Sequence, residues 1–479
     1  MEILYELFNL NNNKIINIFE KLLFLAILVI IGLINPKVIP YNFELNQQYS
    51  KIQTNFNLTF NNLLNKKINI AIYYTSIKNG GIERLTALLI DYINNITIFN
   101  AFLLTKKGIE ENEYPISKNI KRININGRSG NLLKIVKREK IDILIYHFYY
   151  HVEMISLNKL NNIKIIYYNH SCFLIWIYAL FYYYFQTTYE VYRKSKYIIS
   201  LVPFESDYLL KKWGINSILM SNFITYEYNL IIPSDLSSKT ILMIGRGSDR
   251  LKRFELGVES MKYIIKEIPD CKMKIISDYF KIDYLFKLVD ILKINNHIEF
   301  VGYTSIPEIY FKNASLHIFP SISESFGLVL SETKIFGIPN ILVGLDYIVL
   351  SKGGTLIIYD DSPESIAKGA IKILTDDIYR KNLGKEARRS MKKFKNELLL
   401  KRWVKLILSV YNGYNYYLKL IGKDEKISKS EYNIILKRQL ELLKKRIPNF
   451  SNITVENIEN FTFVAYEMKK ILNLTDEEN

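Results

Sequence analysis

Residues 316–340, LHIFPSISESFGLVLSETKIFGIPN, constrain the fold more than any other stretch of this 479-residue chain. Leu316 to Phe319 read as a strand, Pro320 ends it, and a polar turn follows. Gly327 then opens a run with helical spacing that closes at Gly337 and Pro339. The order is strand, loop, helix, with a helix N-terminus set just beyond a strand end. Unpaired N–H groups and the helix field make Phe326 to Leu328 a seat for a phosphorylated ligand. Glu324 falls in the approach loop and Glu332 eight positions later, inside the helix. By spacing alone, each carboxylate suits a solvated surface as well as a ligand.

The same unit recurs along the chain. Ile68 to Tyr73 is a buried-strand run, followed by a turn at Gly80 and Gly81 and an amphipathic helix from Glu83 to Ile93. Adjacent glycines let a backbone approach a ligand closely. Strand-like Ile96 to Leu104, Ile141 to Tyr146 and Ile163 to Tyr168, with helical Leu132 to Arg138 between them, imply a parallel sheet. His147 and His170 fall just past strands, where ligands gather in open α/β sheets, and each equally suits a satisfied polar group under a loop. The aromatic run from Cys172 to Tyr192, Trp176 included, reads as an acceptor pocket or a core helix. Tyr197 to Val202 and Ile218 to Asn222 complete this sheet, and residues 224–238 read as a linker.

A second sheet begins at Thr240 to Ile244 and delivers Gly245 and Arg246 at its end, with Lys252 soon after. It continues through Met273 to Ser277, Ile298 to Val301 with Gly302 at the turn, Leu316 to Phe319, Asn340 to Val343 and Leu356 to Tyr359. Arg250 and Arg253 read as solvated surface, and His317 as a sheet residue. Residues 384–412 read as one basic helix whose Leu398, Trp403, Leu406 and Leu408 supply packing.

Lys plus Arg outnumber Asp plus Glu by 64 to 47, a formal charge of +17 that favours a polyanionic partner or an anionic membrane surface. The basic residues are dispersed without zinc-finger or RNA-platform spacing, so no nucleic acid is expected. The triple-glycine dinucleotide fingerprint is missing, which argues against a nicotinamide or flavin cofactor. Neither a Cys/His cluster nor an Asp-any-Asp pair occurs, so neither a metal nor any other cofactor is expected. Cys172 and Cys271 lie in different expected domains, which fits a reducing, cytoplasmic setting. Leu22 to Ile34 is continuously apolar for thirteen residues, against roughly 20 for a spanning helix. Two readings of residues 15–35 stand: a membrane contact, as a tilted or marginal span or an interfacial helix, or a helix packed on protein.

Glu324, Phe326, Gly327 and Glu332 resemble the signature of the retaining glycosyltransferase family 4, among the group 1 glycosyl transferases: a Glu, seven residues, a second Glu, with Phe-Gly just after the first. The resemblance covers about residues 67–415 and implies an α/β GT-B fold, two facing Rossmann-like domains with a cleft between them and helical extensions at both ends. The expected divisions are 1–66, an extension with the apolar helix; 67–230, the acceptor domain; 231–385, the nucleotide-sugar domain; 386–420, a crossover helical region; and 421–479, a helical extension. The resemblance implies donor contacts from Gly80, Gly81, Gly245, Arg246, Lys252, Gly302, Glu324, Ser325, Phe326, Gly327, Leu328 and Glu332. His170, Glu324, Arg246 and Lys252 would carry the chemistry, and His147, His170, Trp176 and Asn222 would meet the acceptor. Ser277-Asp278 departs from the small glycine loop of the family. The implied activity is retaining transfer from a UDP- or GDP-sugar to a glycan, glycolipid or lipid-linked acceptor. Its alternatives are a sugar-phosphate-dependent synthase or phosphorylase, or a silent binding module.

Overall fold

The computed structural model describes residues 67–78, 80–126, 129–147, 163–171, 189, 191–247, 249–278, 282–304, 306–412 and 427–446. The apolar segment at 15–35, Cys172 and Trp176 lie outside the described residues.

Among the described residues, thirteen strands form two sheets. The first comprises β1 (Ile68–Tyr74), β2 (Phe99–Thr105), β3 (Lys121–Asn124), β4 (Ile143–His147), β5 (Lys164–Tyr168), β6 (Tyr197–Ser200) and β7 (Ile218–Leu219), in the order β3-β2-β1-β4-β5-β6-β7. The second comprises β8 (Thr240–Ile244), β9 (Lys272–Ile276), β10 (Ile298–Phe300), β11 (Leu316–Phe319), β12 (Asn340–Val343) and β13 (Thr355–Ile358), in the order β10-β9-β8-β11-β12-β13. All its pairings are parallel. In each sheet the strand order reverses beside its first strand, at β1/β4 and at β8/β11. A crevice opens at such a switch point, beyond the carboxyl ends of the strands.

The described parts of Met1–Tyr168, Ser195–Tyr197 and Asn396–Leu420 form one compact unit, and those of Asn169–Lys194, Ile198–Lys395 and Ile421–Asn479 a second. In the first unit, helix α1 (Gly81–Asn94) follows β1 and helix α2 (Ser129–Arg138) precedes β4. Helix α3 (Pro203–Trp213) belongs to the second, with α4 (Phe254–Glu267), α5 (Asp283–Leu292), α6 (Glu308–Phe311), α7 (Leu328–Ile335), α8 (Pro363–Thr375) and α9 (Asp377–Ser390). Met243, Val258, Ile318, Ile341 and Ile373 are fully covered in its core, each such side chain contributing about 1.5–3 kcal/mol by leaving water. Helix α10 (Asn396–Asn412) returns to the first unit, where Trp403 packs edge-on to Tyr168 at 5.3 Å. Helix α11 (Lys429–Arg446) again joins the second.

Most elements lie within a few residues of their expected positions, with three differences. The single basic helix expected at 384–412 is interrupted: α9 ends at Ser390, a tight turn spans Met391–Phe394, and Lys395 adopts ψ 133 before α10 starts. That turn buries Met391 and Phe394. Leu398, expected among the packing residues, is exposed. Strand β3 was not foreseen, because its residues KRIN carry no apolar run.

No helix among the described residues is long and apolar enough to cross a membrane.

Two histidines lie wholly inside. His317, on β11, shares its Nδ1 with Asn340 Oδ1 at 2.7 Å, and burial pushes its pKa down to about 4. His147, at the end of β4, has its Nδ1 2.9 Å from Thr86 Oγ1, and burial pushes it to about 3. The unfolded chain takes up a proton at each near pH 6.5 while the folded chain does not. Stability is therefore full above that pH and falls on acidification toward 4, by about 1.4 kcal/mol per unit for each ring. His317→Gln should flatten the decline of the urea midpoint between pH 6.5 and 5; an unaltered slope would show that His317 protonates in place.

Gly354, in the turn before β13, has φ +68, and a Cβ there would lie 2.3 Å from Ala387 N and 2.4 Å from Leu383 O on α9. Both obstacles are backbone. Gly354→Ala should cost about 2 kcal/mol or more and lower the thermal midpoint by several degrees; a wild-type midpoint would mean that α9 moves aside freely.

Candidate active site

The second unit's switch point gathers the charged candidates. Gly245 ends β8 with φ +152, and its N–H donates to Ile276 O at 3.1 Å. Arg246 is exposed on the loop that follows. Asp249 accepts from Leu251 N and so caps the tight turn Arg250–Lys252, which aims Lys252 across to the loop after β11. There Lys252 Nζ meets Glu324 Oε1 at 2.5 Å, both side chains about one-fifth exposed or less.

Two further rungs lace these loops. Ile322 N–H donates to Leu251 O at 2.8 Å, and Arg253 Nε donates to Pro320 O at 2.7 Å. Arg253 is not the solvated residue that its basic neighbourhood suggested. It takes a left-handed conformation (φ 48) at the start of α4 and is 8% exposed, its Nη1 pairing with Asp361 at 2.9 Å. Arg250 does stay exposed, lying over the Tyr284 ring at 3.6 Å.

The Glu324 backbone is fixed as well, its N–H donating to the Tyr347 hydroxyl at 3.1 Å. Ser325 donates its hydroxyl hydrogen to His170 O, which brings the turn after β5 to the loop after β11 within one unit. His170 itself is 8% exposed. Phe326 is buried edge-on to Phe394 at 5.6 Å. Gly327 caps α7 with φ 80, a conformation that a side chain would strain, and Leu328 starts the helix. Glu332, one turn further, is 3% exposed and accepts from Thr225 Oγ1 at 2.6 Å.

At the end of β9, Ser277 takes the place of the small glycine loop. Its Oγ accepts from Gly247 N at 2.7 Å, and Tyr284 donates to Gly247 O at 3.1 Å. Gly302 follows β10 with φ 84, beside an exposed Tyr303. Asn222 is buried just after β7. In the first unit, Gly80 is the extended N-cap of α1 and Gly81 its first residue. His147 is covered by Tyr74, Tyr168 and Thr86, so contact with an acceptor would require that cover to move. Among the described residues no group of three or more His, Cys, Asp and Glu could hold a metal ion.

Sequence reading missed Thr225, Tyr347 and Asp361 and misread Arg253. All four act through contacts distant in sequence, which leave no local pattern.

Residues 231–390 match the family model described as glycosyl transferases group 1. An uncharacterized glycosyltransferase of Haemophilus influenzae is 23% identical over 43% of this chain. The poly(glycerol-phosphate) alpha-glucosyltransferase of Bacillus subtilis is 21% identical over 52% of this chain. The chain spans 59% and 38% of these two relatives. Among solved structures, sucrose-phosphate synthase from Thermosynechococcus elongatus superposes with a TM-score of 0.60 at 17% identity, covering 72% of this chain and 100% of that one. The two parallel sheets with their helices are the fold called GT-B. Residues 231–390, which hold the Lys252–Glu324 pair, the Gly327 cap and Glu332, are thus the part of the chain that is similar to the group 1 glycosyl transferases.

Proposed function

We propose that this protein transfers a sugar from a UDP- or GDP-sugar to a glycan, glycolipid or lipid-linked acceptor with retention of anomeric configuration and without a bound metal. The observation that carries the reading is the Lys252–Glu324 pair, held where the loops after β8 and β11 meet, with Arg246 on the same loop as Lys252.

As the glycosidic bond breaks, its electron pair leaves with the nucleoside diphosphate. Cations aimed at those phosphate oxygens stabilise the departing group more than the intact donor. Arg246 and Lys252 are assigned this role. A lysine ammonium has three donors, so Lys252 can hold Glu324 and still reach a phosphate oxygen. The N–H groups at the start of α7 add a favourable field for the same anion.

Glu324 is assigned to hydroxyls of the transferred sugar and Glu332 to the ribose, each as an ionised acceptor of hydroxyl hydrogens. His170, tethered through its carbonyl to Ser325, is assigned to orient the sugar. The acceptor hydroxyl attacks on the face that the diphosphate leaves, and its proton passes to the leaving phosphate oxygen. No carboxylate is then needed as a base, unlike a glycosidase pair. The acceptor is assigned to the first sheet's loops, Gly80 and Gly81 among them.

With a panel of UDP- and GDP-sugars and a membrane extract as acceptor source, mass analysis should show a glycosylated product whose new linkage keeps the donor's configuration by NMR. Glu324→Ala, Arg246→Ala and Lys252→Ala should each lower turnover by about 10²–10³-fold, the loss expected when one transition-state contact is removed. Unchanged turnover in all three would remove this donor site. A chelator should leave the wild-type rate intact; its loss and recovery on adding a divalent cation would reject the metal-free scheme.

A further inference from the structure

Helix α11 lies beyond the stretch that matches the family model. Its inward face, with Tyr432, Ile435, Leu436, Gln439, Leu440 and Leu443 buried, has the spacing of a helix packed along one side. It is seated at the carboxyl ends of β12 and β13. Leu442 Cδ1 lies 2.3 Å from where a Cβ on Gly344 would stand, and Gln439 Nε2 donates to Gly344 O at 2.6 Å. Arg438 donates to Asp346 Oδ2 at 3.1 Å and to the Tyr359 hydroxyl at 3.0 Å.

The last residue of the helix reaches furthest toward the site. Arg446 holds Asp361 with two bonds, Nε to Oδ2 at 2.7 Å and Nη2 to Oδ1 at 3.0 Å, and its Nη1 donates to Ile322 O at 3.3 Å. On the other side of Asp361, Arg253 pairs through Nη1 and donates through Nε to Pro320 O. One carboxylate thus joins two guanidiniums, and each guanidinium holds a carbonyl of the strand of loop that ends at Glu324. Burial pushes the Asp361 carboxyl up, but the Arg446 hydrogen bond and the charges of Arg253 and Arg446 outweigh it and hold it below the usual range. Without Asp361 the two cations would face each other largely desolvated; burial and the Arg446 charge already lower the pKa of Arg253.

We propose that α11 is a clasp on the donor site, in which Arg446, acting through Asp361 and Arg253, positions the Pro320–Glu324 loop so that Glu324 meets the donor sugar. This rests on the donor-site reading above for its catalytic consequence, though not for the loop contact itself. Arg446 is a positioning residue: it touches the loop carbonyl and Asp361, while Glu324 would touch the sugar.

In the full chain, Arg446→Ala should lower kcat/KM for the nucleotide-sugar at least tenfold while leaving the Kd of the nucleoside diphosphate alone within twofold, because the clasp governs the sugar contact rather than the phosphate cations. Arg446→Lys, which keeps one charged bond to Asp361, should recover part of the loss. Arg438→Ala removes contacts of the same helix that do not reach the 320–322 carbonyls, and should keep wild-type kcat/KM. Amide exchange at Ile322 and Glu324 should quicken about tenfold in Arg446→Ala and not in Arg438→Ala. Equal kcat/KM in wild type and Arg446→Ala, or equal losses in the Arg446 and Arg438 variants, would overturn the clasp. If the wild-type chain transfers no sugar, the exchange measurement decides: slow exchange in Arg446→Ala rejects the clasp, and fast exchange upholds the loop contact while the transfer reading fails.

Discussion

Two loops that could each have adopted many conformations are tied together by one partly buried ion pair, Lys252 with Glu324. They leave adjacent parallel strands, since β8 pairs with β11, so their starting points are already close. Closeness does not fix a loop; the rungs Leu251–Ile322 and Arg253–Pro320 set its backbone, and the charged pair sets its side chains. Removing one member of a desolvated pair leaves the other uncompensated. The geometry therefore presents a cation and an anion together, the combination needed by a ligand with a phosphate at one end and hydroxyls at the other.

Helix α7 shows how the second carboxylate is kept in place. Ser331, Glu332, Thr333 and Lys334 are consecutive polar residues, all buried. Such a run is tolerable only when each group has a partner. Ser331 donates to Leu328 O, Glu332 accepts from Thr225, Thr333 donates to Asn340, and Lys334 donates to the carbonyls of Leu350 and Lys352. Burial, with a lesser contribution from the charge of Lys393, pushes Lys334 down to about 7. The helix is held on several sides by polar contacts, and Glu332 gains a fixed direction that a purely apolar helix face would not impose on its polar neighbours.

Local chemistry decided what could be read from the sequence. Strand β11, the Gly327 cap and α7 were legible because an apolar run, a proline and two glycines punctuate them within twenty-odd residues of chain. The repeated strand–loop–helix order likewise announced two parallel sheets. Strand β3 left no such trace: it is an edge strand of charged and polar residues, made a strand by pairing with β2. Arg253 was misread because its neighbours Arg250 and Lys252 suggest a solvated turn, whereas its left-handed backbone directs the guanidinium to Pro320 and Asp361. The break at Lys395 was hidden by a basic composition that continues unchanged across it. In each case the missing information was a partner far away in the chain.

The two sheets share a strand order up to the extra strand of the first, yet their switch points differ chemically. After β1 the chain offers Gly80 and Gly81 and the N-terminus of α1, where Glu83 places a negative charge in the first turn. After β8 it offers Arg246 and Lys252 ahead of α4, whose first turn also carries an acidic residue, Glu255, while α7 beyond the adjacent β11 has none in its first turn. A diphosphate is disfavoured by the first arrangement and favoured by the second. A common topology thus supplies two switch points, and under the proposed function the cations beside β8 suit the later one to the phosphate-bearing substrate.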